Sequence, residues 1–332
     1  MVYLFAFGAG ICLIIEGVVS AEQRFLGVIF TAERLGQNAS WEMMVGMQIL
    51  KRITGTLAQP NKLAMFVNQY LLICLFCSFV AKNPLFKLYL VGAFLAGLVA
   101  ELLSASRGGW VGFALAFVMT MTLWYWKKGV SPFVALSGIG IGSAGLFGIL
   151  FAASETFRRR LTEEDYGTAE IRYPLMEVAM NMIRDNPWFG VGINHYTKYM
   201  REYDRTFDQI SFIFNAPVHN TFLLIAAETG VFGLIIASAI LIWVEVYALQ
   251  VFWRSRGACA AVALGIFGGN VAWLLHWLAD PSMFYGTYPF WMNTGMLFAV
   301  DAISQRHQKR LDAQEKHTKA LAKKPILDSR TL

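Results

Sequence analysis

Long apolar stretches separated by short polar ones run through most of this chain. A membrane-spanning helix needs about 20 predominantly apolar residues, and eight stretches approach or exceed that length. They lie at about 2–20, 63–81, 86–104, 108–126, 132–154, 220–250, 257–279 and 284–304. The pattern predicts an all-α, polytopic bundle of about eight transmembrane helices.

The fifth stretch carries glycines at helical intervals. Small residues let membrane helices approach closely. The small residues of this stretch, which would permit such an approach, are Gly138, Gly142, Gly145 and Gly148.

The polar segment 155–219 is much longer than the other connections after residue 62. Apolar residues recur within it at helical spacing, which predicts an amphipathic helix over 169–185. Pro187 ends that helix, because proline disfavours a helical conformation in the residue before it. A glycine-containing turn, NPWFGVGINHY, follows at 186–196. The segment is either a surface loop with an interfacial helix or a lid over a site that opens into the bilayer.

Composition and charge also indicate a membrane protein. Of the 332 residues, 56% are hydrophobic and only 15% are charged, which is more apolar surface than a soluble domain of this size can hide. The net charge of +6 comes from basic residues that cluster at the flanks of the apolar stretches. This placement indicates membrane topology and argues against binding to nucleic acid.

The basic residues also predict which side of the membrane each connection faces. The connections after the second, fourth and sixth stretches carry two basic residues each, and the tail 305–332 carries eight Lys and Arg. Such segments stay in the cytoplasm. The segments 22–62, 104–108, 155–219 and 280–283 then face the periplasm, although 22–62 is itself basic. We predict an inner-membrane domain at 1–304, with the site on its 155–219 loop, and a basic cytoplasmic tail at 305–332.

Three residues on the outward side suit acid–base and phosphate chemistry. His219 lies where the long loop meets the sixth stretch, and imidazole is the usual general base near neutral pH. Arg107 lies between the third and fourth stretches and Arg172 early in the amphipathic helix; a guanidinium group binds phosphate with a planar fork and keeps its charge. The structural alternatives are an interfacial histidine, a membrane anchor and a solvated cation.

Further polar residues carry weaker signals. His276 and Asp280 lie four residues apart at the outer end of the seventh stretch, a spacing at which side chains can pair. Glu228 interrupts the sixth stretch beside Thr229–Gly230, and we interpret it as support for a helix irregularity. The acidic run at 163–165 has no further residues at metal-ligand spacing, and we expect neither a metal nor a cofactor.

Three segments, in this order, resemble the O-antigen ligase and polymerase superfamily. The first is similar to the family's G-T-x-x-x-P-N stretch and the second to its S-R-G helix start. The third is similar to its signature region, in which an E-x-R helix, an N-P-x-x-G-x-G turn and an H-N-x-x-L…E-x-G span follow one another. The segments are RITGTLAQPNKLAMF at 52–66, SASRGGWVGF at 104–113, and EIRYPLMEVAMNMIRDNPWFGVGINHY with VHNTFLLIAAETGVFGL at 170–196 and 218–234.

This resemblance implies an all-helical, inverting membrane glycosyltransferase of the GT-C type. Its donor would be a glycan on undecaprenyl diphosphate and its acceptor a glycan or lipid A-core, without a metal ion. The family's essential residues correspond to Arg107, Arg172 and His219. We add Asn220, which is expected to hold the histidine ring or contact sugar, together with His276 and Asp280, as candidates for substrate binding. Members usually have ten to twelve spans, so we expect N-terminal spans to be missing here.

Several functions remain open at this point. A ligase that moves a lipid-linked polysaccharide onto lipid A-core is the leading interpretation. A polymerase of repeat units on the same carrier, or a protein O-oligosaccharyltransferase, differs from it only in the acceptor. A flippase or transporter typically has repeated halves, which this sequence does not show. A non-catalytic scaffold of a polysaccharide export system is the remaining alternative.

Overall fold

The computed structural model describes residues 1–26, 40–45, 48–163, 171–281 and 288–322, with the backbone alone described at 40–45, 48–50 and 320–322. Within these ranges nearly all regular structure is helical. The elements in chain order are α1 (Val2–Ala21, continued by a π-helical turn Glu22–Leu26), β1 (Ser40–Val45), β2 (Gln48–Ile53), α2 (Pro60–Val80), α3 (Pro84–Leu103), α4 (Arg107–Lys127), α5 (Pro132–Ala153), α6 (Glu155–Thr162), α7 (Arg172–Asp185), α8 (Tyr196–Tyr199), α9 (Ile210–Ile213), α10 (Thr221–Arg254), α11 (Gly257–His276) and α12 (Tyr288–Ala322).

Seven helices of the described part are long and apolar enough to cross a membrane. They are α1 with its π-helical turn, α2, α3, α4, α5, α10 and α11. The prediction of an all-α, polytopic helical bundle is therefore confirmed, and the first seven predicted stretches each correspond to one of these helices.

The eighth predicted stretch differs from the other seven. Its residues 288–304 form the first half of α12, which continues without a break to Ala322, while residues 284–287 lie outside the described part. Helix α12 is not among the helices that qualify by composition, because its first half contains buried polar residues. The Asn293 amide donates to Gln69 Oε1 at 2.8 Å, and Asp301 forms an ion pair with Arg254 at 2.5 Å.

Helices α2 and α11 form the centre of the bundle, and most of their residues are buried. Glycines of α11 make their close approach possible. A Cβ at Gly269 would lie 2.7 Å from the carbonyl oxygen of Gln69, and one at Gly265 would lie 2.5 Å from Ile73 Cα. The two backbones thus touch where any larger residue would separate them.

The glycines of α5 mediate no close helix approach within the described part of the chain. A Cβ at Gly138, Gly142, Gly145 or Gly148 would have no neighbour within 4 Å in the described part, and Ala135 is the buried residue of this helix. Helix α5 lies at the edge of the bundle. A glycine pattern shows that close approach is sterically possible, but it does not determine which face meets a partner.

The segment 22–62, predicted only as a loop, contains a hairpin and an anchored turn. Strands β1 and β2 pair antiparallel, with Ser40 opposite Ile53. Beyond β2, the backbone of Gly55 exchanges hydrogen bonds with the Gln23 side chain at 2.8 and 3.0 Å. The Glu16 carboxylate accepts from the amide of Thr56 at 3.0 Å. Helix α1 therefore holds the turn that leads to the start of α2.

The ends of the helices on the predicted cytoplasmic side lie together. Lys127 Nζ, at the end of α4, donates to the carbonyl oxygen of Ser255 at 2.6 Å. Ser255, just after α10, contacts Ser304 of α12 at 2.8 Å. Helices α4, α10 and α12 correspond to the fourth, sixth and eighth predicted stretches. The topology argument requires these stretches to end on the same side of the membrane, and the contacts agree with it.

Candidate functional site

Two arginines from different segments hold the turn before α4. Arg52 Nε donates to the carbonyl oxygen of Ser104 at 3.0 Å, and Arg160 Nε donates to that of Ala105 at 3.0 Å. Ala105 has a left-handed backbone with φ +49°, a conformation that costs free energy in a non-glycine residue. The turn ends at Ser106, which caps α4, and Arg107 is the first residue of that helix.

The segment around His219 is bonded to the residues that directly follow α11. The amide of Thr221 donates to the carbonyl oxygen of Trp277 at 2.9 Å, and its hydroxyl donates to that of Asp280 at 3.0 Å. Asn220 caps α10 by accepting from the amide of Leu223 at 3.0 Å. Its amide nitrogen also donates to the carbonyl oxygen of Leu278, at 3.3 Å. These bonds fix His219 beside the end of α11.

The predicted amphipathic helix is confirmed as α7, and Arg172 is its first residue. Its apolar side chains are buried in a cluster with Tyr196, Val218 and Leu224, which ties α7 to the start of α10. Residues 169 and 170 of the prediction, including the Glu170 of the E-x-R pattern, lie outside the described part. Helix α7 therefore brings Arg172 to the same end of the bundle as His219.

The turn after α7 fits into a break in α10. Gly230 interrupts that helix with φ +69° and ψ −172°, and a Cβ there would collide with the backbone at Trp188. The amide of Val231 donates to the carbonyl oxygen of Pro187 at 2.8 Å. Glu228 accepts from the amide of Tyr196 at 3.1 Å. The interpretation of Glu228 as support for a helix irregularity agrees with these contacts.

A cavity of about 650 Å³ lies between these segments. Five of the six site residues considered in the sequence line it: Arg107, Arg172, His219, His276 and Asp280. The sixth, Asn220, is not among the lining residues, and its side chain is engaged by Leu223 and Leu278. Residues separated by more than 170 positions in the chain thus form one site.

His276 and Asp280, whose spacing would permit a direct pair, contact other residues instead. His276 Nε2 lies 3.3 Å from Ser106 Oγ. Asp280 instead accepts a hydrogen bond from the Asn61 side chain. The ring of His276 occupies the space that the absent side chain of Gly108 leaves, since a Cβ there would lie 2.8 Å from the ring. Helix α4 therefore packs its first turn against the histidine.

Burial shifts the pKa values of His219 and Asp280 in the direction that favours their neutral forms. Burial lowers the pKa of His219, and the nearby Arg172 guanidinium lowers it further. Burial also raises the pKa of Asp280 to about 6, opposed by the hydrogen bond from Asn61 and by neighbouring cations that include Arg172 and Arg52. At neutral pH the imidazole of His219 is therefore uncharged and able to accept a proton.

The lining residues that were absent from the predicted site include four whose side chains form hydrogen bonds: Arg52, Asn61, Ser106 and Arg160. Asn61 and Ser106 stood inside the quoted P-N and S-R-G segments, so the motifs did contain a signal for them. Arg52 begins the quoted 52–66 segment, but it lies outside the G-T-x-x-x-P-N pattern and its charge disagreed with the predicted topology. Arg160 carried no signal in the sequence, because only the folded chain brings α6 against the turn before α4.

In the described part, no group of three or more His, Cys, Asp or Glu residues is arranged to hold a metal ion. Of the acidic run at 163–165, Glu164 and Asp165 lie outside that part. The positive charge that lines the cavity comes from guanidinium groups.

Part of the chain matches a known protein family. Residues 91–238 match a family model described as O-antigen ligase, and this range includes Arg107, Arg172 and His219. No curated protein matches the chain.

Proposed function

The chain belongs to the O-antigen ligase superfamily of membrane enzymes through its residues 91–238, and on this premise we propose that it transfers a glycan from undecaprenyl diphosphate to lipid A-core. The observation that carries the proposal is the position of His219 in a cavity with four arginines. These arginines are Arg52, Arg107, Arg160 and Arg172.

The arginines suit a diphosphate leaving group. When the bond between the sugar carbon and the phosphate oxygen breaks, its electron pair stays on the phosphate. Guanidinium groups that are already in place stabilise this charge without having to reorganise. Arg107 and Arg172 start two separate helices, α4 and α7, so they approach the cavity from different elements.

His219 suits the activation of the acceptor. In the proposed step an acceptor hydroxyl attacks the anomeric carbon from the side opposite the diphosphate, which inverts the configuration. The hydroxyl proton passes to the neutral imidazole as the new glycosidic bond forms. His219 Nδ1 has no hydrogen-bond partner among the described residues, so none of them already uses this ring nitrogen.

The walls of the cavity suit a lipid-linked donor. Below Arg107, one face of α4 contributes Val111 and Leu115 to the lining, and both side chains remain 54% exposed. Because α4 qualifies as a membrane span, an exposed face there meets lipid. A ligand with a charged head and an apolar chain matches a cavity that is cationic at one end and open to the bilayer at the other.

The proposal is tested by reconstitution with a glycan on undecaprenyl diphosphate and, in parallel, three acceptors: lipid A-core, a second lipid-linked glycan, and protein. We expect transfer to lipid A-core, also in EDTA, and we expect this transfer to be lost in His219→Ala.

The matched control is His195→Ala, since His195 lies outside the cavity. Transfer to the second glycan or to protein alone would indicate a polymerase or a protein glycosyltransferase. Turnover that required added Mg²⁺ would contradict the arginine mechanism.

A further inference from the structure

We infer that Asn61 is a positioning residue that acts through Ser106. Through this contact it holds His276 as the neutral tautomer with its proton on Nε2. The same contacts fix the position of Arg107. The inference follows from the chemistry of donors and acceptors in one chain of contacts. It deepens the proposed function by assigning the two histidines of the cavity to different roles, and it rests on that function only for its activity readout.

The first step is the orientation of the Asn61 amide. One of its atoms lies 2.6 Å from Arg52 Nη2. A guanidinium group has donors and no acceptor, so this atom is the amide oxygen. The other amide atom, the nitrogen, donates to the Asp280 carboxylate. Oxygen and nitrogen of an amide are often hard to distinguish, but here the partners determine them.

The second step is the direction of the Ser106 hydroxyl. Ser106 Oγ lies 3.1 Å from Asn61 Oδ1. Between these two oxygens only the hydroxyl has a hydrogen, so Ser106 donates to Asn61. Its single hydrogen is then used, and its lone pairs face the amide of Gly109 at 3.4 Å and His276 Nε2 at 3.3 Å.

The third step identifies which ring nitrogen of His276 carries the hydrogen. Since Ser106 offers only a lone pair in that direction, His276 Nε2 must carry the hydrogen. The other ring nitrogen, Nδ1, is buried and has no hydrogen-bond partner among the described residues. It is therefore the bare nitrogen of the neutral ring. The side chain is only 2% exposed, so an acceptor hydroxyl cannot reach this lone pair without displacing protein.

The consequence concerns Arg107. Ser106 is the N-cap residue of α4, and Arg107 is the first residue of that helix. A donor on His276 and an acceptor on Asn61 together fix the Ser106 side chain, and Ser106 fixes the start of the helix. His276 is thus a positioning residue, and His219 is left as the proton acceptor of the cavity.

The tautomer can be measured without reference to catalysis. Protein labelled with ¹⁵N-histidine and reconstituted in bilayers gives ring nitrogen signals for each histidine, and the signals that disappear in His276→Gln belong to His276. We expect one protonated Nε2 and one unprotonated Nδ1. A proton on Nδ1, or on both nitrogens, near neutral pH would overturn the inference even if glycan transfer were confirmed.

The second test measures the glycan-transfer activity of variants. His276→Leu and Ser106→Ala should each lower transfer about 10²-fold, the size expected when a reacting group is misplaced by about 1 Å. The double variant should lose no more than either single one, because both break the same chain of contacts. His276→Gln keeps an N–H group near the Nε2 position and should recover most of the loss seen in His276→Leu.

The controls separate positioning from general-base catalysis. His195→Leu, outside the cavity, should retain full transfer. Residual transfer by His276→Gln should keep the acid limb of the wild-type pH profile, since glutamine does not titrate. If His276→Gln is as inactive as His276→Leu, or if the acid limb disappears, His276 is the base and the inference is wrong. If wild-type protein transfers no glycan, the proposed function fails, and the tautomer measurement still decides the inference.

Discussion

At the scale of single residues, the cavity distinguishes two histidines by their surroundings. His276 is enclosed and bonded to Ser106, whereas His219 is half-buried and beside Arg172. The same side chain therefore has two different capacities for proton transfer, and these differences lead to specific expectations for pH and for the arginines.

The pH dependence of transfer should reflect the lowered pKa of His219. The base must be neutral, so transfer is lost as pH falls through that pKa. Burial and Arg172 both lower it; we therefore expect the acid limb of kcat/KM below pH about 6.5, the ordinary value for histidine. The measurement is a rate–pH profile of the reconstituted enzyme.

Burial raises the pKa of the neighbouring Asp280 to about 6, so this carboxyl group needs its own control. Asp280→Asn keeps an oxygen for Asn61 but removes the titration. Whatever its effect on the overall rate, the acid limb should persist in this variant. A limb that vanished in Asp280→Asn would assign the profile to the carboxylate instead of His219.

The arginines should not be replaceable by lysine. Arg107→Lys and Arg172→Lys each keep a positive charge but lose the planar fork that grips a phosphate with two bonds. We expect transfer to fall about 10²–10³-fold in each, as for the removal of an electrostatic stabiliser. Arg205→Lys is the matched control, because Arg205 lies outside the cavity and forms a surface pair with Asp185 at 2.5 Å. Near-normal transfer by both site variants would reduce Arg107 and Arg172 to membrane anchors.

At the scale of elements, two glycine-rich helices behave in opposite ways. Helix α11 uses its glycines to touch α2, whereas the glycines of α5 have no neighbour within 4 Å in the described part. The turn 186–192 adds a third use of glycine, because it needs positive φ at Gly190 and Gly192 to enter the break in α10. Each role depends on what lies opposite the residue.

A Gly→Ala substitution should change the stability of the protein differently in α11 and in α5. Gly269→Ala places a methyl group 2.7 Å from the Gln69 carbonyl oxygen, so it should destabilise the bundle by about 1–3 kcal/mol, as overpacking does. Gly142→Ala meets nothing and should leave stability unchanged or slightly higher. Thermal unfolding in detergent would compare the two. Equal loss in both variants would mean that α5 has a packing partner in the membrane.

At the scale of the whole molecule, the cavity and the Lys127–Ser255 contact lie at opposite ends of α4. The ends of even-numbered spans meet at one end, and the arginines and histidines meet at the other. Neither end is identified with a compartment by these contacts. The positive-inside rule makes that assignment, and it remains a prediction.

Reporter fusions test this orientation directly. A reporter that is active only in the periplasm should be active when fused near Tyr203, on the cavity side, and inactive when fused at Lys128. The physical reason is that basic flanks are retained in the cytoplasm during insertion. A fusion within 48–53, on the basic segment that disagrees with the rule, should be active as well. The opposite pattern at Tyr203 and Lys128 would place the cavity in the cytoplasm.

Much of the architecture was determined by the sequence alone, because each of the seven helices that are long and apolar enough to cross a membrane depends on local composition. An apolar stretch of sufficient length must become a helix in lipid, whatever surrounds it. The amphipathic helix α7 was likewise predictable from the spacing of Leu175, Val178 and Met182. Arg107, Arg172 and His219 were found through motif resemblance and charge topology, both of which are read along the chain.

Only the tertiary structure decided which residues meet. The bond from Arg160 to Ala105 joins positions 55 apart, and that from Asn61 to Asp280 joins positions 219 apart; neither pairing leaves a periodic trace in the sequence. His276 and Asp280 are four residues apart, a spacing that brings side chains together within a helix. Helix α11 ends at His276, so Asp280 lies beyond it and the two side chains do not face each other as a helical pair would. Long-range contacts arise from how helices pack, and packing depends on the whole set of facing surfaces, which no single segment encodes.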